Sequence, residues 1–377
     1  MAARTVVTIV VFAGLLTTEI SAQNYTSVAY AYADVAVPGA VLTIANAIND
    51  NNVVVGSFFD ANSSVHGFVY RKGRYEQIDY PGSSETEVLG INSNGDLVGV
   101  YQIAGPLNFH GFLRHEGQFT TIDVPQAEFG TKIFGINKDM VMVGTVDDSQ
   151  GFILKSGSFT VFNAPQLQGE EFQTQLNGIN NVGWISGQVF SGGAWRGFWF
   201  RERDIDFLQP LGSSDNQVTG MNGRGDIVGC HDATSGFVSF EVESPGKKRD
   251  EKDAFPSQQK LASCVSGINN ARVVVGNYFQ VNRPNAFVGV PQLTLHVLGV
   301  ANRSAVTGSL HLLAAASGIN PVKGIQIWAN ARKVKDIKGA VLNERVVLPR
   351  GMNERVAVQA IDSKGVTTKI VFTLTVH

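Results

Sequence analysis

The chain has 377 residues, 44% hydrophobic and 16% charged, enough to bury a large core and to hold more than one domain. Its 41 glycines and scarcity of long charged stretches favour a turn-rich all-β protein over a helical one. A formal net charge of −2 removes the electrostatic case for a nucleic-acid partner.

At the N-terminus, Arg4, an apolar run from Val6 to Leu16 and Ile20-Ser21-Ala22 before Gln23 are laid out as a secretory signal cleaved after Ala22. About eleven apolar residues are too few to span a bilayer core. The expectation is therefore a signal over 1–22, no membrane span in the mature chain and an extracellular location. In that compartment the two cysteines, Cys230 and Cys264, either form a disulfide or remain separate buried thiols, and neither has neighbours of metal-ligand type.

From Ile48-Asn49 onward one unit recurs. Its Ile-Asn or Met-Asn pair returns at Ile91-Asn92, Ile136-Asn137, Ile179-Asn180, Met221-Asn222 and Ile268-Asn269. A glycine follows eight residues after the Ile or Met in each copy: Gly56, Gly99, Gly144, Gly187, Gly229 and Gly276. Gly90-Ile91-Asn92-Ser93-Asn94-Gly95-Asp96-Leu97-Val98-Gly99 is the clearest copy, two short strands around a tight Asn/Gly/Asp turn. A Gly-Phe pair (Ala286-Phe287 in the sixth copy) opens a third strand, and a fourth ends at Pro81, Pro125, Pro165 or Pro210. Four β-rich runs in about 43 residues are the size of one propeller blade. The sixth copy stops after its third strand near Val290, while Ala31 to Pro38 reads as a lone fourth strand ahead of the first Ile-Asn. An N-terminal strand completing the last blade would close the ring and remove its open edges, which predicts a six-bladed propeller over 23–291.

The Gly-Ile-Asn, Val-Gly, His-Gly-Phe and Ile-Asp-Tyr-Pro-Gly elements resemble the bacterial HAF-type extracellular repeat. His66-Gly67-Phe68 and His110-Gly111-Phe112 match best; the other copies carry Gln150, Arg196 or Ser235 at the His position. The resemblance covers about residues 30 to 290 and implies secretion without bringing an activity. Over 292–377 the repeat is absent, and β-type runs between Gly, Asn and Asp turns suit an Ig-like β-sandwich. Gly318 to Gly324 and Val358 to Gly365 are similar to cysteine-free bacterial Ig-like modules.

The first hairpin has constant length, whereas the offsets from the blade glycine to the residue before Phe are 11, 12, 7, 10, 7 and 10. The connections between blades vary too, the longest running from Glu243 to Gln259 and holding the mixed-charge run Lys247 to Asp253. Both variable classes emerge on one face, which assigns binding to that face. Two residues after each blade glycine stand Phe58, Tyr101, Val146, Val189, His231 and Tyr278, expected as a ring near the channel mouth. With Phe109, Asp147, Asp148, Trp195, Asp232 and Arg283 on the same loops, the ligand-binding candidates are Phe58, Tyr101, Phe109, Asp147, Asp148, Trp195, His231, Asp232, Tyr278 and Arg283. Packing between blades is the competing reading of the Phe and Tyr positions.

Catalytic patterns are weaker. Asp79, Asp123 and Asp206 recur before the strand-ending turn and read as turn residues. His66 and His110 are repeat-equivalent and read as framework. His231-Asp232 has no serine marked as a nucleophile beside it. Asn92 to Asp96 resembles part of a calcium loop without its later Glu. The sequence thus points to a secreted binder of an extracellular glycan or protein, with no cofactor or metal; the rival is a polysaccharide hydrolase or lyase acting at the channel mouth.

Overall fold

The structure is a computed structural model that describes residues 29–103, 109–165, 172–202, 204–208, 215–233, 236–242, 263–278, 286–298, 300–318, 320–348 and 351–377. The proposed signal over 1–22, Arg283 and the 243–259 connection lie outside the described residues. Every regular element among the described residues is a strand, and no helix is long and apolar enough to cross a membrane. The chain divides into two compact units, Tyr30–Val290 and one containing Pro291–His377.

The first unit is β-propeller-like. Four successive sheets each take four consecutive antiparallel strands, as in the second: Glu85–Ile91, Leu97–Gln102, Phe109–His115 and Gln118–Ile122. The fifth sheet has three strands among the described residues, Asn216–Met221, Ile227–Ala233 and Gly236–Val242. In the sixth, Ser263–Ile268, Val274–Tyr278 and Ala286–Gln292 are joined by Ala29–Val35 from the other end of the array.

Packing lies between the sheets. One cluster joins Val55, Val69 and Ile78 of the first sheet to Val88, Leu97 and Phe112 of the second. Another joins Val35, Val275 and Ala286 of the sixth to Ala45 and Phe68 of the first. The Gly-Phe rings Phe68, Phe112, Phe152, Phe198 and Phe287 are at most 2% exposed, so each contributes close to the full stabilisation of a buried aromatic, about 1.5–3 kcal/mol. The blade glycine lets the first strand and that ring close in together: a Cβ on Gly99 would stand 1.9 Å from the Glu87 carbonyl oxygen and 2.9 Å from the Phe112 ring. Gly56, Gly144, Gly187 and Gly276 face Phe68, Phe152, Phe198 and Phe287 in the same way.

The recurrent asparagine closes the array. Each of Asn49, Asn92, Asn137, Asn180, Asn222 and Asn269 is buried, and its Oδ1 accepts the backbone N–H groups two and four residues on. Its Nδ2 donates to the backbone carbonyl of the next asparagine, at 3.0–3.3 Å: Asn49 to Asn92, Asn92 to Asn137, Asn137 to Asn180, Asn180 to Asn222 and Asn222 to Asn269. Asn269 then donates to Asn49 at 3.1 Å, and the circuit is complete.

Cys230, on the second strand of the fifth sheet, forms a disulfide with Cys264 on the first strand of the sixth. In the chain-entropy picture a bridge of this loop length stabilises by about 3–4 kcal/mol.

The second unit is a two-layer β-sandwich. Thr294–Leu298, Ser309–Ser317 and Val341–Val347 form one sheet; Ala305–Val306, Thr367–Val376, Gly351–Asp362, Val322–Ala329 and Arg332–Lys338 form the other. Leu310, Leu312 and Leu342 of one meet Ile325, Ile327, Val356, Val358 and Leu374 of the other in a single core.

Asn137→Ala removes the acceptor of two part-buried N–H groups and the donor to the Asn180 carbonyl, which keeps its bond from Gly183, so it is expected to cost about 1–3 kcal/mol in denaturant unfolding. Gly99→Ala is expected to cost about 1–3 kcal/mol or more, by pushing the strand off the Glu87 carbonyl and overpacking Phe112, read in the same measurement.

Candidate functional site

The candidate site follows from which strand lies at the axis. Among the described residues, the central cavity of about 280 Å³ is lined only by the first strand of each sheet, so those strands are innermost. Each carries a bulge, at Ala45/Ala47, Val88/Gly90, Ile133/Gly135, Leu176/Gly178, Val218/Gly220 and Val265/Gly267. A bulge leaves one residue unpaired and re-aims its side chain. The bulged residues are Asn46, Leu89, Phe134, Asn177, Thr219 and Ser266, and all six line the cavity.

These positions are unequal. Asn46 Nδ2 donates to the Val88 carbonyl (2.9 Å) and Asn177 Nδ2 to that of Val218 (2.6 Å). Thr219 Oγ1 donates to Val265 (2.6 Å), and Ser266 Oγ to Ala45 (2.5 Å). Leu89 and Phe134, on adjacent sheets, leave an apolar wall. Gln175 also lines the cavity and accepts from Gln188 Nε2 at 2.9 Å. Among the described lining residues there is no acid, no base and no cysteine.

Below this chamber lies a smaller cavity of about 70 Å³ at the hairpin-turn end, bordered by the asparagines. The two share one collar, Ile48, Ile91, Ile136, Ile179, Met221 and Ile268. The larger chamber is lined by the last three residues of each innermost strand, and Gln175 alone extends it toward the inter-sheet connections.

The expected aromatic ring is not at the channel. It stands on second strands, one step out from the axis, where sheet faces are covered by neighbouring sheets. Phe58 is 7% exposed in the core between the sixth and first sheets. Tyr101 is 4% exposed and stacks on Tyr80 at 3.6 Å, its hydroxyl bonded to Thr121 Oγ1 (2.8 Å); burial pushes its phenol up to about 12. His231 is buried, with Nδ1 at 3.1 Å from the Asp232 carbonyl oxygen, and Tyr278 is half-buried with its ring on Phe287. At Phe58, Tyr101 and Tyr278 the rings pack against neighbouring side chains.

The loop residues gather at two places on the variable face. Asp147 Oδ1 accepts the backbone N–H groups of Glu128, Phe129 and Gly130 at 2.7–3.0 Å. Burial pushes its carboxyl up, and these donors outweigh it and hold it below the usual range. Asp147 thus shapes the loop that carries Phe129, 64% exposed, a residue the sequence reading missed. Beside it Lys132 Nζ lies 4.6 Å over the half-buried Phe109 ring and 2.9 Å from Asp148. At the second place Trp195 packs on Phe190 at the tip of the fourth sheet. The Asn216–His231 pairing sets Asp215 beside Asp232. Burial pushes the Asp215 carboxyl up; the Trp195 N–H opposes this, and Asp232 adds to it. Glu87 is likewise raised by burial, with Ser57 Oγ donating to it at 3.3 Å.

Asp79 and Asp123 do more than end strands: they receive His66 Nδ1 (2.9 Å) and His110 Nδ1 (2.8 Å) across the third and fourth strands.

No family model matches the chain, and no curated protein matches it. Among solved structures it aligns with the extracellular domain of a B. thetaiotaomicron protein described as a hybrid two component system, with TM-score 0.34, 9% identity and coverage of 89% of this chain and 57% of that one. A second extracellular domain from that organism aligns with TM-score 0.29 and 11% identity over 85% and 49% of the two chains. A polysaccharide lyase aligns with TM-score 0.20 and 7% identity over 92% and 47%. The chain spans about half the length of these solved chains. At such scores no function transfers, and the chain's own residues carry the reading.

One titration follows from this region. Asp96, buried and bonded to His115 Nδ1 at 2.7 Å, holds the His115 pKa above its ordinary 6.5. A raised folded pKa contributes stability that is fully present below the unfolded pKa and lost as pH rises through the folded one. The stability difference between the natural chain and His115→Gln is therefore expected to shrink as pH climbs above 6.5, read by denaturant unfolding at stepped pH.

Proposed function

We propose that the protein is a secreted six-bladed β-propeller of HAF-like repeats followed by an Ig-like domain, and that it binds an extracellular glycan or protein without chemical turnover. The chamber carries this reading: amides and hydroxyls face an apolar wall, and no acid or base lines it among the described residues. Such a surface orients a ligand through hydrogen bonds and apolar contact. A reaction needs a proton donor or acceptor within hydrogen-bond reach of the reacting atom. The disulfide suits an oxidising compartment. The loops around Phe129 and Trp195 supply aromatic contacts outside the chamber. The Ig-like unit serves as a spacer or second contact surface.

One observation favours the rival hydrolase or lyase reading: Asp215, with its raised pKa beside Asp232 and next to Trp195. A carboxyl with its pKa raised by burial and by a second carboxylate is an arrangement glycosidase acids use. The two readings separate in one experiment. The purified chain is screened on a glycan array, and each polysaccharide is assayed for new reducing ends after incubation. Binding without new ends is the expected result. New ends that vanish in Asp215→Asn would replace binding by hydrolysis.

A further inference from the structure

The chamber's shape and lining narrow the ligand further, on the proposal that this face binds one. We infer that the chamber seats the uncharged terminal sugar ring of a glycan. The rest of that glycan leaves through the mouth.

Three observations converge. The first is that the space narrows. Beyond the collar of five isoleucines and Met221 the cavity holds only about 70 Å³, too little for a sugar ring, so the chamber suits a chain end and not a threaded polymer. At about 280 Å³ it sits at the small end of ligand sites, room for one ring and not for an extended segment.

The second is charge. A peptide end brings an ammonium or a carboxylate, and a buried charge needs a partner. The described lining offers no charged side chain. A sugar terminus is neutral. The same argument turns away uronic and sialic acid ends.

The third is the asymmetry of the bulged positions. A pyranose has an apolar face and a hydroxylated rim. Leu89 and Phe134 form an apolar wall, faced by Asn46, Asn177, Thr219 and Ser266. The two asparagines donate through Nδ2, which leaves each Oδ1 to accept from a sugar hydroxyl. Gln175 receives Gln188 on Oε1, which leaves its Nε2 to donate.

The test uses neutral gluco-, galacto-, manno- and xylo-oligosaccharides of two to six residues, tethered by their reducing ends. Cyclic glucans and oligogalacturonates are run alongside. The chain should retain at least one neutral linear series and ignore the cyclic and acidic probes. The matching free monosaccharide should compete. Leu89→Trp, which fills the chamber, should weaken binding about tenfold or more. Phe134→Ala, which removes the wall instead of filling the space, should weaken the same probes, with thermal unfolding checked for both variants. Three results would overturn the inference: retention of cyclic or acidic glycans, glycan binding untouched by both variants and by the monosaccharide, or silence across the panel. If the first two occurred with binding lost in Trp195→Ala, the variable face would still be the binding surface and only the chamber assignment would fail. Capture of a protein ligand by the same chain with a silent panel would do likewise.

Discussion

The six asparagines at the axis each hold two structures together with one side chain. The amide oxygen stabilises the hairpin turn in which the residue sits, and the amide nitrogen reaches the carbonyl of the next sheet. An aspartate could cap the turn and would bring no donor to the neighbour. A glutamine has the donor on a longer stem, which cannot close the same tight turn. Each bond nets only about 0.5–1.5 kcal/mol, but each group left unpaired in the interior costs about 1–3 kcal/mol, so the ring resists partial opening. Turn geometry and ring geometry are thereby the same constraint.

That constraint separates the two ends of the channel. At the turn end the six copies repeat closely, because every turn must present the same carbonyl to the same amide. A few residues away the bulges lift one side chain per sheet out of the ladder, and there the copies are free to differ. Four keep a donor that ties to the next sheet, and two replace it with Leu89 and Phe134. The chamber is the place where the repeat stops being symmetric. Outside it the connections diverge further, with Asp147 fixing the loop of Phe129 and Lys132 lying over Phe109.

Much of this was legible in the residues. The unvarying eight-residue offset from Ile to Gly marked the hairpin, and the Gly-Phe pair marked the strand whose ring covers that glycine. The lone N-terminal strand marked where the sixth sheet would find its fourth member. The aromatic ring was misplaced for a definite reason. Alternation along a strand separates two faces but does not say which strand lies nearest the axis, so Phe58 and Tyr101 could be assigned to a face and not to a depth. Bulges leave no composition signal, and Asn46, Leu89 and Phe134 therefore looked like ordinary strand residues. The His–Asp bridges did leave a signal: His66 to Asp79 and His110 to Asp123 have the same thirteen-residue spacing in both copies.

The most direct test of the amide ring is hydrogen exchange at the residues two places after each asparagine. Asn94, Asp139 and Val182 have exposed side chains on tight turns, where backbone N–H groups ordinarily exchange at near free-chain rates. Here those N–H groups are bonded to buried amide oxygens. The account predicts that they exchange as slowly as the core strands beside them. Free-chain exchange at these positions in the folded protein would contradict it.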